Sequence, residues 1–180
     1  MIRFLTTCAA ALTMLGTSAM AETATPYAGQ ETREIARLSP QDVEDLLAGR
    51  GWGFAKSAEL NGYPGPAHVL ELAEALDLTT AQRGQVQAIF DRMNAEARRL
   101  GAALIDREAA LDAAFESGEI DAATLAALTA AAGEVEAELR AVHLAAHLDT
   151  TPLLSRHQIM TYSRLRGYAS GQAHGDHSSH

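Results

Sequence analysis

The sequence predicts an all-α fold, built on a long antiparallel helical hairpin with short flanking helices. Three observations predict it. Apolar residues recur at steps of three and four along two long stretches, which marks amphipathic helices. Those stretches are of similar length and are joined by a link of about four residues, which forces antiparallel neighbours. No run alternates apolar with polar residues as a half-buried strand would.

In chain order, Met1-Ile2-Arg3 leads into an apolar run from Phe4 to Leu15 and then to Ala19-Met20-Ala21. A charged start, a brief apolar run and an A-x-A exit are the parts of a secretory signal peptide, so residues 1–21 are expected to be removed and the mature chain to begin at Glu22. The apolar run is about 12 residues, short of the roughly 20 that cross a bilayer. Residues 22–38 are polar with little periodicity and read as a flexible leader.

A single helical domain is expected over 39–168. Ser39-Pro40 opens a helix as N-cap and first helical residue, and Gly49 stops it after Ala48. The stretch 49–66, with Gly49, Gly51, Gly53, Gly62, Gly65, Pro64 and Pro66 around Trp52, Phe54 and Tyr63, is an ordered loop. Its aromatics either plug the end of a helix bundle, the favoured reading, or line a ligand pocket. Helical periodicity resumes at Ala67 and carries Val69, Leu70, Leu72, Ala73 and Leu76. The first long helix runs from Thr80 to about Glu116, with Val86, Ile89, Phe90, Met93, Ala97, Leu100, Leu104, Leu111 and Phe115 as its stripe. Ser117-Gly118 ends it. Asp121 opens the second, striped by Leu125, Leu128, Ala132, Val135, Leu139, Val142 and Ala146 and closed by Pro152. At about 1.5 Å per residue the hairpin is roughly 50 Å long. A last helix spans about Arg156 to Arg166, and residues 169–180 form a disordered, His-containing tail.

The chain has 180 residues, a formal net charge of −9 and one cysteine, Cys8. Loss of residues 1–21 removes Cys8 and with it disulfides, thiolate metal sites and thiol nucleophiles. It also removes Arg3 and takes the charge to −10. An acidic surface repels nucleic acid and anionic lipid and favours cations or basic clients.

Two helix starts share one pattern, Leu78-Thr79-Thr80-Ala81-Gln82 and Leu154-Ser155-Arg156-His157-Gln158. Each is a capping box: the Thr79 or Ser155 hydroxyl accepts from the backbone three residues on, while Gln82 or Gln158 reaches back to the cap. An L-[TS]-x-x-Q motif used twice around a long helical hairpin in a small exported chain resembles the Spy/CpxP family, which takes in zinc-resistance-associated proteins and periplasmic heavy-metal sensors. The resemblance covers roughly residues 66–168 and leaves the 49–66 loop outside the shared core. It implies a curved antiparallel homodimer in the periplasm. It further implies ATP-independent holding of unfolded envelope proteins, signalling through a membrane sensor protein, or sensing of a divalent metal. Chaperone-type members are similar in presenting a basic concave face, and here this strongly acidic chain departs from them.

His143 and His147 lie four apart, so both imidazoles project from one helix face, and Glu136 lies one heptad earlier on that face. Two imidazoles and a carboxylate suit Zn, Cu, Ni or Co; the alternative is that the histidines pack beside Leu139 as part of the core. His174, His177 and His180 are weaker ligand candidates with Asp176 in the tail. His68 and His157 read as structural. No G-x-S-x-G, Walker, H-E-x-x-H or C-x-x-C-H motif is present, and Arg140 stands where a di-iron bundle needs Glu three before His143, so the protein is not expected to be an enzyme and needs no cofactor.

Overall fold

A computed structural model describes residues 25–168. The signal peptide expected over 1–21 and the tail expected over 169–180, with His174, His177 and His180, lie outside the described residues. Two compact units divide at Glu31. The described part of the first is a pair of turns, with Ala28 N–H donating to the Thr25 carbonyl at 3.0 Å. The helices all belong to the second unit, Thr32–His180.

Helices α1 (Pro40–Leu47), α2 (Lys56–Glu59), α3 (Pro66–Glu71), α4 (Thr80–Glu116), α5 (Ala122–Thr150) and α6 (Arg156–Leu165) follow in order, with a 3-10 turn over Thr151–Leu153. No strand occurs among the described residues. The expected hairpin is α4 and α5. Thr79 caps α4 and Ser155 caps α6, each through a complete capping box, while Asp121 caps α5 by accepting from Thr124 N–H. Ser39 caps α1 with Asp42 three residues on completing a further box. The Ser39 hydroxyl first, and then the Trp52 indole, hold the Asp42 carboxyl below its ordinary range.

The short elements wrap one flank of the hairpin and divide the core in two. In the first cluster Ile35, Leu38, Leu46 and Phe54 pack on Ala97, Leu100, Leu104 and Leu139. In the second, Val69, Ala73, Leu76 and Leu78 pack on Val86, Leu154 and Tyr162. Burial of these side chains supplies most of the stability that propensity alone cannot.

Three expectations are corrected by this packing. The leader expected to run to residue 38 joins the fold by Ile35, because Ile35 and Leu38 bury their side chains and the Ala36 N–H donates to Asp112 at 2.5 Å. The helix expected to continue past Leu72 stops at Glu71. Asp77 takes a left-handed φ of 48°, which a short polar side chain tolerates, and the turn delivers Leu76 and Leu78 to the core. The aromatic loop does not plug the bundle's end: Phe54 lies over His143 on α5, against the flank.

Gly101 explains how closely α1 sits on α4. A Cβ at that position would run into the Leu46 carbonyl, and the neighbouring Asn94 and Arg98 donate to the Ala48 and Leu47 carbonyls at 2.9 and 3.2 Å. Helix α4 thus caps the orphan carbonyls of α1. Gly101→Val is expected to lower stability by about 1–3 kcal/mol through overpacking, read by urea unfolding, although valine in place of glycine favours the helix intrinsically. An unchanged or raised midpoint would show that the contact yields without strain.

Candidate functional site

The two expected histidine ligands sit where the wrap meets α5. His143 and His147 are 3% and 7% exposed, so the face they share is the core-facing one. The His143 ring stacks on Phe54 with centroids 5.9 Å apart, and its Nε2 is buried with no hydrogen-bond partner. Burial, then the neighbouring His147, push its pKa down to about 4, so the ring is neutral at neutral pH. His147 Nδ1 lies 2.7 Å from the Tyr63 carbonyl, which only accepts, so Nδ1 is the protonated nitrogen. Its Nε2 faces Gly65, where a Cβ would lie 2.7 Å away; the glycine lets the loop backbone close over the ring.

Glu136 does not join them. It accepts from Arg37 at 2.7 Å, and no three of His, Cys, Asp and Glu among the described residues are grouped to hold a metal ion. The donor set present is therefore incomplete: His143 Nε2 is free, while His147 is committed at one nitrogen and covered at the other. This falls short of the four ligands of structural zinc.

Sequence reasoning missed the carboxylate next to this pair. Glu59, at the end of α2 and 12% exposed in its side chain, accepts from Tyr162 Oη at 2.5 Å and Tyr168 Oη at 3.1 Å. Arg166 Nε stands 3.4 Å from the same oxygen, and Glu59 Oε2 lies 3.6 Å from His147 Nδ1. Burial, then the carboxylate it donates to, push the Tyr162 phenol far above its ordinary range. Glu59 thereby ties the wrap to α6 and the chain beyond it.

Arg37 was also missed, since it lies in the stretch read as leader. Its guanidinium holds Glu108 of α4 and Glu136 of α5 together and lies 6.0 Å from the Trp52 ring centroid. Glu108 has a side chain only 5% exposed. Arg37→Ala leaves that charge buried without its partner, and we expect a loss of about 2–3 kcal/mol in thermal or urea unfolding, with partial rescue by Arg37→Lys, which cannot bridge two carboxylates as a planar fork does. A loss within about 0.5 kcal/mol would mean the pair behaves like an exposed one.

Away from the wrap, the hairpin's tip is uncovered. Between Ala109 and Ala131 no residue is buried, and the stripe residues Phe115 and Leu125 are 57% and 38% exposed. The same span carries Asp112, Glu116, Glu119 and Asp121 and no Lys, Arg or His. An apolar opening of about 190 Å³ lies on the α4–α5 seam near Ile89, Met93 and Val142, flanked by Arg92 and Asp149.

The two L-[TS]-x-x-Q starts are brought face to face at the hairpin's open end. Gln82 Nε2 donates to Gln158 Oε1 at 3.0 Å and Gln158 Nε2 to Gln82 Oε1 at 3.2 Å. Each amide also reaches a backbone carbonyl, Gln82 that of Leu153 at 2.8 Å and Gln158 that of Leu76 at 3.1 Å. These features define a class: an all-helical hairpin protein whose two motif-bearing helix starts are stapled to each other. The chain belongs to the heavy-metal resistance family, whose profile matches residues 46–160. That family is related to the Spy/CpxP group that the paired motif resembles. The match includes the 49–66 loop, which the motif-based resemblance left out. No curated protein and no solved structure matches the chain. No described helix is long and apolar enough to cross a membrane.

Proposed function

We propose that this protein is a periplasmic, non-enzymatic stress protein that holds unfolded envelope proteins without ATP, using the hairpin tip as its working surface. The observation that carries the proposal is the hairpin tip, where Phe115 and Leu125 are exposed beside half-buried Leu111 and Leu128, set among acidic residues with no cation in the span. Exposed apolar side chains within a polar rim suit a protein partner, and the acidic rim selects clients that are apolar and basic. The test is aggregation of a denatured basic client with chelator present and no ATP. Native protein at equimolar ratio is expected to suppress it, and Phe115→Ser with Leu125→Ser to lose most of that effect while unfolding at the native midpoint. No suppression by native protein would remove the holding role.

The chain is proposed to work as a homodimer, packed through the α4–α5 seam. Arg92 and Asp149 have no ion-pair partner among the described residues, and a two-fold axis places one copy's Arg92 by the other's Asp149 twice. Light scattering is expected to give twice the chain mass, Arg92→Asp to give monomer, and Arg92→Asp with Asp149→Arg to restore the dimer.

One observation favours a second reading, a divalent-metal sensor. A buried imidazole nitrogen without a hydrogen-bond partner, His143 Nε2, is a metal donor in waiting, and Zn, Cu, Ni or Co suits it. Its remaining ligands would come from His147 after the loop at Gly65 lifts, or from the tail histidines. Calorimetry on the chain truncated after Tyr168 decides between these: tighter binding than His143→Ala with His147→Ala supports the pair, and equal binding rejects it.

A further inference from the structure

The wrap leaves one large groove on its outer side, and nothing in the holding or metal readings uses it. It has a volume of about 630 Å³ and runs between α2 and α5, lined by Trp52, Phe54, Lys56, Leu60, Glu136 and Arg140 among others. That volume falls in the range of small-molecule sites. Its walls are apolar at Trp52, Phe54 and Leu60, the last 58% exposed.

Two features set it apart from ordinary surface. The first is charge. In a chain of 23 acidic and 14 basic residues, the cations at this groove have no acidic partner among the described residues. Lys56, the chain's single lysine, and Arg140 make no ion pair among the described residues, whereas the groove's carboxylate, Glu136, is already answered by Arg37 at 2.7 Å. The second is strain. Trp52 has φ of 40°, a left-handed conformation that a bulky side chain rarely adopts and that costs about 1–3 kcal/mol. The conformation is held in place: the indole N–H donates to Asp42 Oδ1 at 2.7 Å, and the ring meets Phe54 edge-on with centroids 5.3 Å apart. A strained indole fixed at the wall of a groove bordered by two unanswered cations is a site for a ligand that is apolar at one end and anionic at the other.

We propose that this groove binds a small amphipathic carboxylate, with its apolar body against Trp52, Phe54 and Leu60 and its carboxylate taken by Lys56 and Arg140. Arginine gives a planar fork and lysine a mobile point charge, a pairing that suits a carboxylate. Because both cations are exposed, affinity comes mainly from the apolar contact, and the charges set the sign of ligand accepted. The same chemistry is offered by a free medium-chain fatty acid and by the free C-terminus of a peptide ending in an apolar residue.

Trp52 is the only tryptophan, so its emission reports this groove alone. The full chain is titrated with octanoate, octanol, octylammonium and acetate at matched ionic strength. Octanoate is expected to change Trp52 emission saturably with a Kd of about 0.1–1 mM, as a ligand of that size allows. Octanol should bind about tenfold more weakly, and octylammonium and acetate should leave the emission unchanged. Lys56→Gln with Arg140→Gln should raise the octanoate Kd about tenfold at native thermal midpoint and native suppression of client aggregation. Acetyl-Ala-Ala-Leu and its amide separate the two sources: tighter binding of the acid than of octanoate assigns the site to chain termini, and weaker binding assigns it to fatty acids. The proposal is overturned if octanoate gives no saturable change, if octanol or octylammonium matches it, or if the double variant binds as the native protein does.

Discussion

Gln158→Ala is expected to lower unfolding stability by about 2–4 kcal/mol, the largest loss for any single polar side chain in this fold. The Gln158 amide accepts from the Ser155 backbone N–H at 2.8 Å, exchanges bonds with Gln82, and donates to the Leu76 carbonyl at 3.1 Å. Its residue is 9% exposed, so the groups left behind are poorly placed to find water. Each unsatisfied buried partner costs about 1–3 kcal/mol, and loss of half the capping box adds to this. Gln82→Ala removes the other half of the staple, and the double variant is expected to lose less than the sum of the two, since they share bonds. Chemical unfolding of the double-mutant cycle checks this. Additive losses would mean the two motifs act as separate helix caps.

The second large effect is with pH. His143 titrates near 6.5 in the unfolded chain and at about 4 in the fold. Between those values the unfolded chain binds more protons than the native one, so stability falls as pH falls. The contribution is whole above about pH 6.5 and is lost by about pH 4, amounting to roughly 3–4 kcal/mol at about 1.4 kcal/mol per unit. Carboxylates contribute to acid unfolding as well, so the reading is a comparison. Between about pH 7 and 4.5 the native protein is expected to lose about 2 kcal/mol more stability than His143→Leu, which has no proton to take up. Parallel loss in both proteins would mean that His143 opens to solvent before it titrates.

The two long helices and every side-chain cap expected from the sequence are local features, and that is why they were legible. Thr79, Asp121 and Ser155 announce their helices within three residues, and the apolar stripes mark one side of α4 and α5 without any knowledge of the partner. What covers a stripe is not local. The pattern through Leu111 to Phe115 matches the pattern through Leu100 to Leu104, yet the wrap buries the second and leaves Phe115 exposed. The Gln82–Gln158 exchange spans 76 positions, and each glutamine already had a complete local explanation as a capping residue. Arg37 and Glu59 carry no periodic signal, and their importance comes only from the buried carboxylate or phenols they meet. Two signals could have been read further. A lone Gly101 within a run of good helix formers marks a close backbone approach. His143, one residue past Val142 and four past Leu139, falls on the apolar stripe, which fits the core position found better than an open metal face. The proposed client surface, by contrast, rests on a combination the sequence does display: apolar residues and acids at the tip of a hairpin, with no cation among them.

Site-specific photocrosslinking tests that surface most directly. A photoreactive residue at Phe115 and one at Gln87, exposed on α4 near the hairpin's open end, are compared in the presence of a denatured basic client. Client adducts are expected from position 115 and few from position 87, with the yield at 115 falling as ionic strength rises because the acidic rim helps to recruit the client. Equal yields from both positions, or adducts from 87 and none from 115, would contradict this expectation.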